Sequence, residues 1–69
     1  MVTTLKAWRV REKVSQTEFA KRIRSSQPLI SRFEAGKQIP SAELVFRIKQ
    51  ETGGEVTLES WFPEEETAA

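Results

Sequence analysis

The stretch "VSQTEFAKRIRSSQPLISRFEAG", residues 14–36, contains two helix starts, each opened by a Ser-Gln pair. Ser15 to Glu18 spells S-x-x-E, a capping box in which hydroxyl and carboxylate each satisfy a backbone N–H left free in the first turn. Phe19, Ala20 and Ile23 then recur at helical spacing, which predicts a helix over residues 16–24 with Lys21 and Arg22 outward. Ser25-Ser26 interrupts the pattern, and Ser26 is a good N-cap for a second helix. Gln27 becomes its first residue and Pro28 its second, where a proline forfeits no intrahelical hydrogen bond. Ile30 and Phe33 mark its buried side, and Gly36 supplies the left-handed residue that ends it. Two short helices joined by a tight turn make a helix-turn-helix, whose second helix can enter the DNA major groove. With Ile30 and Phe33 inward, Gln27, Pro28, Ser31 and Arg32 lie together on the opposite side. Glutamine can pair with adenine, arginine with guanine, and an apolar ring edge can meet a thymine methyl.

The flanks supply the rest of a small bundle. Leu5 and Trp8 are three apart, predicting a helix over residues 4–13 that Val14 closes against the core. After the loop "KQIPS", Ser41 caps a fourth helix over residues 42–52, with Val45, Ile48 and Thr52 inward, joined by Ala42 or Leu44, and Gly53-Gly54 at its end. "EVTLESWF" reads two ways. Alternation of Val56, Leu58 and Phe62 fits a strand, whereas Thr57 as N-cap and Val56 stapled against Trp61 fit a one-turn helix. The helix is favoured, which makes the expected fold all-α with five helices. Residues 1–63 form one domain in this reading, and 64–69 an acidic, disordered tail.

Composition narrows the function. A chain of 69 residues buries a marginal core, and without cysteine no disulfide or thiolate metal site reinforces it. His, Asp and Tyr are also missing, which removes the commonest general base, the imidazole ligands and most nucleophile–base pairs. Neither an enzyme nor a cofactor or metal site is expected, nor a small-molecule substrate. No apolar run approaches the ~20 residues of a membrane span, so no membrane partner is expected and the location is read as cytoplasmic. The net charge of +1 conceals a division. Residues 1–49 carry all eleven Lys and Arg against four glutamates, while residues 50–69 carry six glutamates and no cation. A basic body suits a polyanion partner, and a solvated surface of mixed sign explains the composition equally well. The motif has to decide.

The segment "VSQTEFAKRIRSSQPLISRFEAGKQIPS" resembles the helix-turn-helix of the Cro-type phage repressors, within the wider XRE-like, lambda-repressor-like group. The family pattern is L-S-Q-x-x-L-A-x-x-x-G-V-S-Q-x-x-I-S-x-x-E-x-G followed by P-S. It is matched without a gap at Ser15, Gln16, Ala20, Ser26, Gln27, Ile30, Ser31, Glu34, Gly36, Pro40 and Ser41, and the likeness spans about residues 5–62. The resemblance implies base contacts from Gln27, Pro28, Ser31 and Arg32. It implies backbone contacts from Gln16, Ser26, Lys37, Gln38 and Ser41, with Gln16 also buttressing Gln27. Arg9 and Glu34 correspond to an internal salt bridge. Two departures stand out: Arg24 replaces the turn glycine, at a strain if its φ is positive, and Ser25 replaces an apolar turn anchor.

The expected function is a transcriptional repressor binding a palindromic double-stranded DNA operator as a weak homodimer, with helix 3 in the major groove. Trp61 and Phe62 cap the core or enter the dimer interface, where aromatic residues are enriched. Two competing readings use the same fold: an antitoxin-like, partner-binding regulator, and an interaction module that has lost DNA binding.

Overall fold

A computed structural model describes residues 2–62 of the chain. The tail expected at 64–69 lies outside the described residues. Four α-helices follow one another: α1 (Leu5–Arg11), α2 (Gln16–Arg22), α3 (Gln27–Ala35) and α4 (Ala42–Glu51). The expected fifth helix is a single 3-10 turn, Leu58–Trp61, and no strand occurs among the described residues. Its backbone bonds reach back three residues, from Ser60 to the Thr57 carbonyl and from Phe62 to the Glu59 carbonyl, the tighter pattern short helical pieces adopt.

The helix starts are set by hydroxyls. Thr4, Ser15 and Ser41 each accept from the backbone N–H three residues on, at 3.1, 3.0 and 3.3 Å. Ser15 and Glu18 form half of the expected capping box, because the Glu18 carboxylate turns to Arg22 instead. The helix ends share one device. In each, a residue with positive φ allows two reversed backbone bonds that satisfy the last carbonyls. Lys13, Arg24, Gly36 and Gly53 occupy that position at φ 60°, 59°, 76° and 66°. The bond that spans more residues at each end runs from the N–H of Val14 to the Arg9 carbonyl, Ser25 to Ala20, Lys37 to Arg32 and Gly54 to Lys49. This is why α1 and α2 stop at Arg11 and Arg22, two residues short of the expected ends at 13 and 24. Lys13 and Arg24 belong to the turns.

One core joins the elements: Leu5 and Trp8 from α1, Phe19, Ala20 and Ile23 from α2 and its cap, Ile30 and Phe33 from α3, Ile48 from α4, with Val14 and Val56. Trp8 meets Phe19 edge-on, with ring centroids 5.7 Å apart. On α4, Leu44 packs against this core whereas Ala42 is exposed, which decides between those two. Thr52 is buried because its hydroxyl is useful there: it donates to the Ile48 carbonyl and accepts from the Val56 N–H. That pair of bonds turns the chain from α4 toward the 3-10 turn. Trp61 then packs edge-on against Phe33 and donates its indole N–H to the Phe33 carbonyl at 2.9 Å, fastening the C-terminal segment to the last turn of α3.

Candidate nucleic-acid interface

Helix α3 turns Ile30 and Phe33 into the core and leaves Pro28, Arg32 and Ala35 exposed along its opposite side. These three stand four and three residues apart, so they form one stripe along the helix. Gln27, Leu29, Ser31 and Glu34 flank it, each partly buried. Ala35 was not among the residues singled out from the sequence, although its spacing from Pro28 and Arg32 is legible there. Its methyl lets the stripe approach another surface closely. Sequence reading placed Ser31 in the outward group, and it sits at the edge of that group.

Gln27 is held by a chain of hydrogen bonds that begins on α1. Arg9 grips Glu34 with two nitrogens, at 2.7 and 2.9 Å, while its third points to the Val14 carbonyl at 3.0 Å. The same Glu34 oxygen that takes the 2.9 Å bond accepts from the Gln16 side-chain nitrogen at 3.0 Å. Gln16 then accepts, through its side-chain oxygen, a 2.6 Å bond from the Gln27 side-chain nitrogen. The direction of the chain follows from its root. A carboxylate only accepts, so Gln16 must turn its nitrogen to Glu34 and its oxygen to Gln27. Gln27 must in turn offer its nitrogen, leaving its carbonyl oxygen and second N–H for another partner. An Arg–Glu pair on the first and third helices thus sets which end of an amide faces outward.

This pair is largely shielded from solvent, with 13% and 5% of the Arg9 and Glu34 side chains exposed. Burial alone would raise the Glu34 carboxyl. Hydrogen bonds from Arg9 and Gln16, with the Arg9 charge, outweigh it and hold the group below its ordinary 4.5. Glu34 is therefore ionised at neutral pH, as the direction of the chain requires.

At the start of α3, proline has an unexpected effect. An N-cap hydroxyl normally takes the N–H of the second or third helical residue. Pro28 has no N–H to offer, and Ser26, though extended in the N-cap position, makes no side-chain cap bond. Its exposed hydroxyl and the Gln27 backbone N–H, which has no acceptor among the described residues, stand together at the positive end of the helix dipole. Beyond α3, Lys37 and Gln38 are exposed on the loop that buried Pro40 pins down. The Ser41 hydroxyl is occupied as the α4 cap.

The arginines divide into two sets. Arg9 pairs with Glu34, Arg11 with Glu12 and Glu55, Arg22 with Glu18 and Glu51, and Arg47 with Glu43. Arg24 and Arg32, like Lys37, make no side-chain hydrogen bond or ion pair among the described residues. An open cavity of about 250 Å³ between the ends of α2 and α4 is lined by Arg22, Arg24 and Arg47, but glutamates already answer two of these. Trp61 is partly buried and engaged with Phe33, whereas Phe62 is 49% exposed. Among the described residues no group of acidic or other ligating side chains could hold a metal ion, and no helix is long and apolar enough to cross a membrane.

A family model described as helix-turn-helix matches residues 5–57, which takes in all four α-helices and the joint between α2 and α3. No significant match appears among curated proteins or solved structures.

Proposed function

The chain belongs to the helix-turn-helix family, whose XRE-like members are DNA-binding transcription regulators, and on that premise we propose a Cro-type repressor acting as a homodimer on a palindromic operator. The observation that carries the reading is the oriented amide of Gln27 at the head of α3, beside the exposed stripe of Pro28, Arg32 and Ala35. In the major groove the Gln27 oxygen accepts from adenine N6 while its second N–H reaches adenine N7, and Arg32 forks onto guanine. Pro28 and Ala35 present apolar surface to thymine methyls, and Ser31 reads or merely borders the base edge. Ser26, Lys37, Gln38 and the start of α4 at Ser41 hold phosphates. Gln16 sets the Gln27 amide and meets the backbone at the start of α2. No catalytic step and no cofactor enters this account.

Dimerisation places two copies of α3 about 34 Å apart, in successive turns of the major groove. Because Trp61 is engaged within its own chain, the interface falls to Phe62, and a contact that small makes the dimer weak. A second reading, an antitoxin-like regulator that binds a protein partner, is favoured by the exposed Val10 and Phe46, neither of which DNA binding uses.

A mobility-shift titration against random duplex DNA at low and high salt separates the two. The repressor reading expects binding that weakens steeply as salt rises. Salt-insensitive binding, or none, would leave the partner-binding reading in its place.

A further inference from the structure

We propose that the notch between the C-terminal ends of α2 and α4 docks an acidic peptide segment of a protein partner, with Arg24 as its central contact and Phe46 as the apolar anchor beside it. This deepens the partner-binding reading by naming the partner's chemistry, and it needs no DNA binding by α3. The cavity has a volume of about 250 Å³ and is lined by Arg22, Ile23, Arg24, Arg47, Gln50 and Glu51, with no residue of α3. Two side-chain bridges hold its walls together. Arg47 donates to the Ile23 carbonyl at 3.2 Å, one residue before Arg24, and Arg22 reaches Glu51 at 3.2 Å. Arg24 itself sits left-handed at φ 59°, a conformation that disfavours any residue with a Cβ. It is exposed and has no side-chain partner among the described residues, so no contact within them offsets the strain. Backbone strain of this kind gathers at ligand sites.

The donors left over suit carboxylates. Arg22 spends Nε on Glu18 and Nη1 on Glu51, while Arg47 spends Nη1 on Ile23 and Nη2 on Glu43. Nη2 of Arg22, Nε of Arg47 and the whole Arg24 fork have no acceptor among the described residues. A planar fork matches a carboxylate with two parallel bonds. The ion pairs already present are exposed and compete weakly. The carbonyls of Lys21 and Gln50 are taken by backbone N–H groups and that of Ile23 by Arg47, which limits their repulsion of an anion. The glutamates decide against a polyanion. A nucleic-acid strand would bring successive phosphates against Glu18, Glu43 and Glu51, whereas a peptide sets one carboxylate on Arg24 and spaces the next away. Phe46 supplies the other preference. It is 58% exposed, next to Arg47 and four residues from Gln50, so it shares the Gln50 side of α4 at the rim of the notch. An apolar side chain beside the acid covers that ring, which a phosphate backbone cannot do.

The test is an NMR titration of the full chain with a blocked hexapeptide of alternating glutamate and leucine. Saturable shifts are expected in the Arg24 side-chain N–H, the Gln50 side-chain amide and the Phe46 backbone amide, with the Gln27 side-chain amide unmoved. Arg24→Gly, which relieves the left-handed strain and so keeps the fold, should weaken the peptide about 3–10-fold. Arg24→Lys, which keeps the charge and loses the fork, should weaken it less. Phe46→Ala should also weaken it, with the thermal midpoint unchanged because the ring is exposed. Unchanged affinity in Arg24→Gly, or no saturable shift in the notch, would overturn the proposal. A glutamine–leucine peptide that binds equally well would remove its charge basis. Acetate or inorganic phosphate of equal affinity would leave a plain anion site in place of a peptide site, and random duplex DNA that moves the notch resonances before those of α3 would assign the notch to nucleic acid. Either result overturns the docking. Failure of the chain to bind DNA in the mobility-shift titration would sink the repressor reading and leave the outcome of this titration standing.

Discussion

The two halves of the α3 face are built on opposite plans. At its N-terminal end, Gln27 is tied through Gln16 and Glu34 to Arg9, so its amide arrives oriented. Toward the C-terminal end, Arg32 and Lys37 extend from the surface with no partner among the described residues. The first plan fixes geometry before a ligand is met and lowers the ordering cost of one specific hydrogen-bond pair. The second keeps charge available for whatever polyanion approaches, at the cost of ordering long side chains on contact. In the proposed function, readout is thus coupled to fold stability at one end and nearly independent of it at the other.

Glu34→Ala strikes that coupling hardest. It leaves Arg9 charged and buried without its partner, a loss of ~3–5 kcal/mol, which is a large share of what so small a domain has. Thermal unfolding should show the midpoint falling sharply, and an unchanged midpoint would mean the pair carries no structural weight. Acid probes the same link without a mutation. The folded Glu34 carboxyl lies below its ordinary 4.5, so its contribution is complete above about that pH and is lost as pH falls through the lowered folded value. Stability of the wild type should decline in that window, and Glu34→Gln should flatten the decline.

Arg32→Ala belongs to the other half. It should cost ~1–3 kcal/mol on the preferred site and relax selection at one base pair. The melting temperature should barely move, since Arg32 is exposed and unpaired among the described residues. Equal losses on every sequence would assign Arg32 to phosphate instead. Arg24→Gly relieves a left-handed arginine in the turn that aims both halves, and should stabilise the fold by ~1 kcal/mol. A neutral or destabilising result would show that the Arg24 side chain has a compensating role. The smallest effect is expected from Lys37→Ala, which should lower affinity evenly and reduce the salt slope by about 1.

Much of the helix-turn-helix was legible before any coordinates. Ser15 and Ser41 announce helix starts because a hydroxyl in front of an apolar periodic run has one obvious use, and both make the bond. Ser26 carries the same sequence signal and lacks the bond, since Pro28 removes one of the two N–H groups it would cap. The helix ends were overrun by two residues at Lys13 and Arg24 because a long cation gives no local hint of positive φ, whereas Gly36 and Gly53 do. Trp61 shows a third limit. Its partner is the Phe33 carbonyl, and no sequence pattern reveals where a backbone acceptor will lie. The Arg9, Gln16, Glu34 and Gln27 side chains were all singled out from the family pattern, but their order and direction required three dimensions.

Selection of binding sites from random duplex DNA tests the central claim most directly, that α3 reads bases through an oriented Gln27 and an exposed Arg32. The account predicts an inverted repeat with half-site centres about 10–10.5 base pairs apart, each half carrying an adenine and a guanine. Glu34→Gln should blur the adenine while leaving the guanine sharp, because only Gln27 depends on the chain of bonds from Arg9. Salt-sensitive binding with no enriched sequence, or adenine and guanine preferences that fade together, would contradict it.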